Sequence, residues 1–422
     1  MAMNIFLIKL YGKAGKYGVG SYIATLKRFL AGCPGINAYV VHLIADTRYG
    51  VECVANATCR DIFIRFDMRA KNLPVMSEFC IDELQARAIY GILHEFMPEK
   101  DVNILHLNNV LETWLAEVAG EYSHCAVFYT MHVLLWQVFY KNNFGNFEGA
   151  WESKEANKYV FSIQEEMRLC ALSDNLICLT EDAVNFSKTY YGVDPSKIKL
   201  VHNVINVENI SMLPDREREC LRRKLGFGLQ EVIIIFSGRL MYEKGLTFAI
   251  EALNRLHNKN YDFHFLICGD GDFSGFADKC RDFIGKISYA GFVDRKKLYE
   301  FYQIADIGLL PSFIEQNSFS ALEMLAHGLA VIVSDTDAFS QFKCFEKSII
   351  QIPVNSDVNL QYINIDLLEI RLSELINDAG YRRHIGQNAE RMIRECFTPD
   401  NLDIEDIYGP YVPDNSKTDL AI

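Results

Sequence analysis

At 422 residues the chain is longer than one hydrophobic core usually accommodates, which points to two domains. Half of it is hydrophobic, so it is a folded globular protein, and its formal net charge of -13 excludes a nucleic-acid binder that works by neutralising phosphates. The twelve cysteines form no C-x-x-C pair, no apolar run with a cleavage site opens the chain, and the aliphatic run at 232–236 is too short to span a bilayer. The expectation is a reduced, cytoplasmic protein whose membrane contact, if it has any, is peripheral.

In chain order, short β-rich runs alternate with amphipathic stretches: NIFLIKL then SYIATLKRFL, VNILHLN then VLETWLAEVA, NLICLT then a helical pattern to Tyr191, then IKLVHN. This is the rhythm of a parallel sheet with crossover helices. It breaks over a polar segment from Val207 to Arg218 containing Pro214, and restarts with EVIIIFSG, FHFLICGDG, KISYAG, ADIGLLPS, LAVIVSD and KSIIQI. The pattern predicts two doubly wound α/β domains facing across a cleft, over 1–205 and 206–396, with the tail from Phe397 crossing back onto the first. Ligands in such sheets bind beyond the carboxyl ends of the strands.

One basic patch is expected on this acidic chain, because no acid precedes Asp46 while Lys9, Lys13, Lys16, Lys27 and Arg28 do. The aromatic run Trp136, Phe139, Tyr140, Phe144, Phe147, Trp151 reads as a long loop packed on the core rather than an acceptor wall. Asp270-Gly-Asp272 and Asp335-Thr-Asp337 read as turn chemistry rather than a metal site, and no metal or other cofactor is expected.

Two stretches carry chemistry. In GRLMYEKG, Gly238 ends a strand and Arg239 and Lys244 precede a helix start near Gly245. Cations beside a helix N-terminus make an anion site, although a solvated turn has the same spacing. In PSFIEQNSFSALEMLAHG, Ser318 is an N-cap, Glu315 lies in the loop before the helix, and Glu323 lies more than one turn inside it. Acid, free amides and acid in a row suit a sugar, a diphosphate and a ribose, although a loop acid and a surface acid fit the bare residues too.

Together and in this order, GRLMYEKG, the E-x7-E pair Glu315 and Glu323 with AHGLAVIVSD behind it, ICGDGD, and the N-terminal GVGSYI resemble the family 4 retaining glycosyltransferases, which have the GT-B architecture of two Rossmann-like domains. The resemblance covers most of the chain. It implies that Arg239 and Lys244 bind the donor diphosphate, Glu315 the donor-sugar hydroxyls, Glu323 the ribose, and the backbone of Asn317, Ser318, Phe319 and Ser320 the phosphates. It places the nucleotide base near Phe292 and Val293, and makes His132, in VFYTMHVLLW, the histidine lining the sugar pocket. Gly18 and Gly20 would let the first-domain loop approach the phosphates closely. His106 is expected as a cleft-wall residue.

The implied activity is metal-independent, retaining hexosyl transfer from a nucleoside diphosphate sugar, UDP-linked in preference, to an acceptor hydroxyl on a glycolipid, polysaccharide, peptide or small molecule. A noncatalytic sugar-nucleotide-binding partner of another transferase and a nucleotide-sugar epimerase are the alternatives. This chain departs from the family pattern at Gln316-Asn317-Ser318, where glycines are usual, and at Asn203-Val204, where Asn-Gly is usual.

Overall fold

The computed structural model describes residues 2–11, 18–46, 50–55, 59–66, 81–122, 124–153, 157–208, 210–345, 347–356 and 361–412. The chain divides into two compact units: 1–140, 144–204 and 399–422 form the first, and 141–143 with 205–398 form the second.

Among the described residues the first unit holds one sheet of β1 (Met3–Leu10), β2 (Ile36–Ala45), β3 (Gly50–Ala55), β4 (Arg60–Phe66), β5 (Val102–Leu107), β6 (Cys125–Met131), β7 (Asn175–Cys178) and β8 (Ile198–Leu200). Their spatial order is β3-β4-β2-β1-β5-β6-β7-β8. The pairs are parallel except β3 with β4, an antiparallel edge that alternation alone did not announce. β1 pairs with β2 on one side and β5 on the other, so the order of connection reverses beside it.

The second unit's sheet comprises β9 (Val232–Ser237), β10 (Phe263–Cys268), β11 (Ile287–Gly291), β12 (Ile307–Leu310), β13 (Ala330–Asp335), β14 (Ile350–Ser356) and β15 (Gln361–Ile363), in the order β11-β10-β9-β12-β13-β14-β15. Here the reversal falls between β9 and β12. Consecutive residues of β6, β9 and β12 are buried, as in strands covered on both faces, which is why they read as unbroken apolar runs.

Two expectations are corrected by packing. The polar segment from Val207 to Arg218, where the alternation breaks, runs into a helix, Asp215–Leu225. Its sequence, DRERECLRRKL, hides the helix by having almost no apolar stripe. The helix is fixed instead by guanidinium groups: Arg218 and Arg222 donate to Asp306 at 2.8 and 2.6 Å and to carbonyls of Gln303, Ile304 and Ala305. The basic patch is also partly neutralised, since Lys27 pairs with Asp61 at 2.8 Å; Lys13 and Lys16 lie outside the described residues. The aromatic run does pack as a core element: Trp136 and Phe147 are buried with Phe186, while Phe139, Tyr140 and Trp151 lie against the same cluster.

Candidate functional site

Two loops of the second unit bring Arg239, Lys244 and Glu315 to the reversal point. β9 ends at Ser237, and the chain turns through Gly238 and Arg239 into a short 3-10 turn, Tyr242–Lys244, capped by Gly245 in the left-handed conformation (φ 70°). The glycine is required twice over. A Cβ on it would lie 1.9 Å from the carbonyl oxygen of Pro311, which follows β12, so only hydrogen lets the two loops approach this closely. The amide of Phe313 then donates to the Glu243 carbonyl at 2.8 Å, and the rings of Tyr242, Phe248 and Phe313 pack together.

That approach brings Lys244 and Glu315 together. Lys244 Nζ donates to Glu315 Oε1 at 2.7 Å and to the Ile314 carbonyl at 3.1 Å, and the pair keeps 16 % and 14 % of its side-chain surface. Arg239 is exposed and forms no ion pair among the described residues, so its full charge is available to an anion. In the loop, Asn317 is buried and holds φ 64°, the left-handed conformation that glycine takes without penalty and asparagine tolerates better than most residues. Its amide group bonds with that of Gln341 at 2.5 Å. The departure at residues 316–318 therefore keeps a glycine-like backbone.

Ser318 caps the helix Phe319–Ala326, its hydroxyl accepting from the Ala321 amide. The first amides, Phe319 and Ser320, have no intrahelical acceptor and carry the positive end of the helix dipole. Every residue from Ala321 to Ala326 is buried, Glu323 included. Burial pushes its pKa up to about 7, against the opposing pull of Arg295 at 3.5 Å and a 3.4 Å hydrogen bond from Tyr299. Arg295 begins the helix Arg295–Ile304, three residues beyond Phe292, so the loop of Phe292 and Val293 and the Glu323 carboxylate share one edge of this unit. Arg295 was not singled out from the sequence, where it is one more surface cation.

Asp270-Gly-Asp272 serves a turn. Gly269 and Gly271 press against the backbone of Gly238 and against Leu240, and Asp272 accepts from the amide and hydroxyl of Ser274. Among the described residues no three His, Cys, Asp or Glu side chains form a metal-binding group.

In the first unit the polar groups collect at the ends of β5 and β6. His132 follows β6; its Nε2 lies 2.9 Å from Asn108 Oδ1, and the ring of Tyr22 meets it edge-on at 4.7 Å. His132 keeps some exposed surface, yet packing around it desolvates the ring and pushes its pKa down to about 3. Two expectations change here. His106 is fully buried, with Nδ1 2.9 Å from the Tyr408 hydroxyl and Nε2 2.7 Å from the Thr130 hydroxyl, so it is a core histidine rather than a wall residue. Gly18 and Gly20 are in the first turn of the helix Gly18–Ala31, not in the loop; 12–17, the residues before them, lie outside the described residues.

Sequence reasoning missed Asn108 and Glu112. Glu112 is fully buried, accepts from the amides of Asn108 and Asn109 at 2.8 and 3.1 Å, and has its pKa pushed up to about 8 by burial. The signal was present: Asn109-x-x-Glu112 is a capping box, which announces a helix start.

With this geometry in place, the comparisons with known proteins converge. A family model described as "Glycosyl transferases group 1" matches residues 217–392, and one described as "Glycosyltransferase Family 4" matches residues 17–209. The chain belongs to the group 1, family 4 glycosyltransferases. Over 219 residues it is 28% identical to an uncharacterized glycosyltransferase of Methanocaldococcus jannaschii, covering 50% of this chain and 53% of that protein. The chain spans about half the length of the curated relatives it matches. Among solved structures it resembles sucrose-phosphate synthase from Thermosynechococcus elongatus (TM-score 0.71, 16% identity, 94% of this chain and 96% of that one). It also resembles HepE of Anabaena, solved in complex with UDP-glucose (TM-score 0.65, 13% identity, 94% and 96%). At these identities the structural likeness establishes the fold, GT-B with two Rossmann-like doubly wound domains.

Proposed function

We propose that the chain transfers a hexose, with retention of configuration and without a metal ion, from a UDP-linked donor to an acceptor hydroxyl. The observation that carries this reading is the Lys244–Glu315 pair, set at the reversal point of the second sheet beside Arg239 and the free amides of the helix Phe319–Ala326. The bond between the anomeric carbon and the diphosphate oxygen breaks and its electron pair leaves with the diphosphate. Arg239, Lys244 and the helix amides offset the charge that develops there, in a partly water-excluded setting where fixed donors act most strongly. The acceptor oxygen bonds to the anomeric carbon on the face the diphosphate vacates, and its proton passes to the departing phosphate oxygen.

Glu315 holds donor-sugar hydroxyls rather than attacking carbon, because its nearest partner is the Lys244 ammonium. Glu323 accepts from the ribose, and Phe292 and Val293 flank the base. His132 contributes a hydroxyl contact. The UDP preference is supported by HepE, a protein of the same fold solved with UDP-glucose. No helix among the described residues is long and apolar enough to cross a membrane, and all their cysteines are free thiols, which supports a cytoplasmic setting with at most peripheral contact to a lipid-borne acceptor.

The test is a thermal-shift screen with UDP-, GDP- and ADP-sugars followed by a nucleotide-release assay with the stabilising donor. A selective shift with UDP-sugars and UDP release that collapses in Lys244→Ala and Glu315→Ala is the expected result. Near-normal turnover in both variants overturns the site, and tight nucleotide binding with no turnover across donors and acceptors makes the chain a binding partner instead.

A further inference from the structure

We infer that Asn108 is a positioning residue that fixes which ring nitrogen of His132 carries the proton, so that Nδ1 is offered to the substrate as a hydrogen-bond acceptor. This rests on the functional reading above only for what Nδ1 meets. Asn108 follows β5, whose end lies beside β1 and β6. Its Nδ2 lies 3.0 Å from the Ile8 carbonyl and 3.3 Å from the His106 carbonyl. Both carbonyls can only accept, so the amide has one permitted orientation, with its NH2 toward them and Oδ1 toward His132. Oδ1 in turn can only accept, and therefore His132 Nε2, 2.9 Å away, carries the proton.

A neutral imidazole has one N–H, so Nδ1 holds a lone pair, and it makes no hydrogen bond among the described residues. The ring is neutral near pH 7 because packing desolvates it, and the groups around it carry no charge to offset that: His106 adds a second imidazole, Tyr22 an aromatic edge, and Asn108 a neutral dipole. Glu112 completes the arrangement by holding the backbone amides of Asn108 and Asn109 on its Oε2. The helix start after β5 thus serves as a clamp on the histidine after β6. The class of group that Nδ1 suits is a donor without charge, a sugar hydroxyl rather than a carboxylate or phosphate.

The direct test is side-chain nitrogen NMR of the intact chain, with the His132 signals assigned by their loss in His132→Gln. The expected spectrum has Nδ1 unprotonated and Nε2 protonated, and the ring stays neutral down to about pH 5. A spectrum with the proton on Nδ1 overturns the assignment whatever the assays show. Asn108→Asp then separates positioning from mere packing. It keeps an acceptor toward Nε2 and gives up the donors to the Ile8 and His106 carbonyls, so its fold is first checked by urea denaturation; the added negative charge raises the His132 pKa and protonates Nδ1 at mildly acid pH. Turnover in that variant should fall about tenfold near pH 6 and recover at alkaline pH, the size of one hydrogen bond lost from a buried polar site. A pH-independent loss, or no loss, overturns the positioning role. If the unaltered chain turns over no nucleotide sugar, the functional reading fails, and the catalytic use of Nδ1 with it, while the tautomer is still decided by the spectrum.

Discussion

At the reversal point of the first sheet, the polar groups at the ends of β5 and β6 are neutral: His132 and His106 are uncharged, Asn108 is a dipole, and Glu112 is an acid held toward its protonated form. At the equivalent point of the second sheet they are charged: Lys244 faces Glu315, and Arg239 stands free among the described residues. The same contrast runs through the interiors. Asp306, with 10 % of its side chain exposed, lies against Arg218 and Arg222, whose charges hold its carboxyl below the usual range despite desolvation, whereas Glu112 has two amides and, among the described residues, no cation. One topology therefore supports two kinds of site. A parallel sheet supplies a place, and the partners that long-range packing brings to that place decide whether its polar groups are neutral or charged.

The comparison breaks most sharply at Lys244. In the proposed transfer Lys244→Ala removes charge where charge develops, and nucleotide release should fall by roughly 10²–10³, the scale for losing one preorganised electrostatic contact; His132→Ala, which removes a neutral acceptor, should cost at least tenfold less by the same steady-state assay. The two desolvated acids, Asp306 and Glu112, give the next largest effect. Asp306→Asn leaves Arg222, 4 % exposed, without its counter-charge, and urea denaturation should show a loss of about 3–5 kcal/mol.

Their pH behaviour has opposite signs. Asp306 has a folded pKa below its unfolded one, so its stabilisation is present above the unfolded value of about 3.9 and is lost as pH falls through the folded value. Glu112 has a folded pKa of about 8, and between the unfolded carboxylate range and about 8 the folded state binds the extra proton, so stability declines as pH rises. The buried histidines act the other way only below their unfolded pKa of about 6.5, which leaves the window from there to about 8 to the raised acids. Glu166 and Glu323, both pushed up by burial to about 7, contribute in the same sense. Glu112→Gln should lessen the decline over that window by about 1–2 kcal/mol in denaturation curves taken across it.

Gly245→Ala should cost more than the ~1 kcal/mol of an ordinary glycine substitution, because both the left-handed φ and the 1.9 Å approach to Pro311 forbid the Cβ. Donor affinity should fall with it, read by the same thermal-shift titration. The smallest effect is expected for Asp272→Ala and for chelation by EDTA, both of which should leave the transfer rate unchanged.

Much of the fold was legible because its signals are local. The apolar runs of β9, β12 and β13, the Ser318 cap and the turn at Gly245 each depend on a few neighbouring residues, and each was read within a residue or two. The Asp215–Leu225 helix was not, since its stabilising partners, Asp306 and the carbonyls before it, lie more than eighty positions away. The charged half of the candidate site was legible as two motifs. That Lys244 and Glu315 are in contact, rather than merely near a common ligand, was not.

By itself, then, the sequence determined the alternation of strands and helices, the places where glycine or a capping residue must stand, and the acids and cations available for chemistry, because these follow from backbone geometry and charge. Only the tertiary structure decided their states. His106 became a core residue through Tyr408, 302 positions away, His132 acquired its tautomer from Asn108, and Glu112 was moved toward neutrality by burial. Protonation and orientation depend on desolvation and on partners distant along the chain, and those exist only once the sheet has assembled.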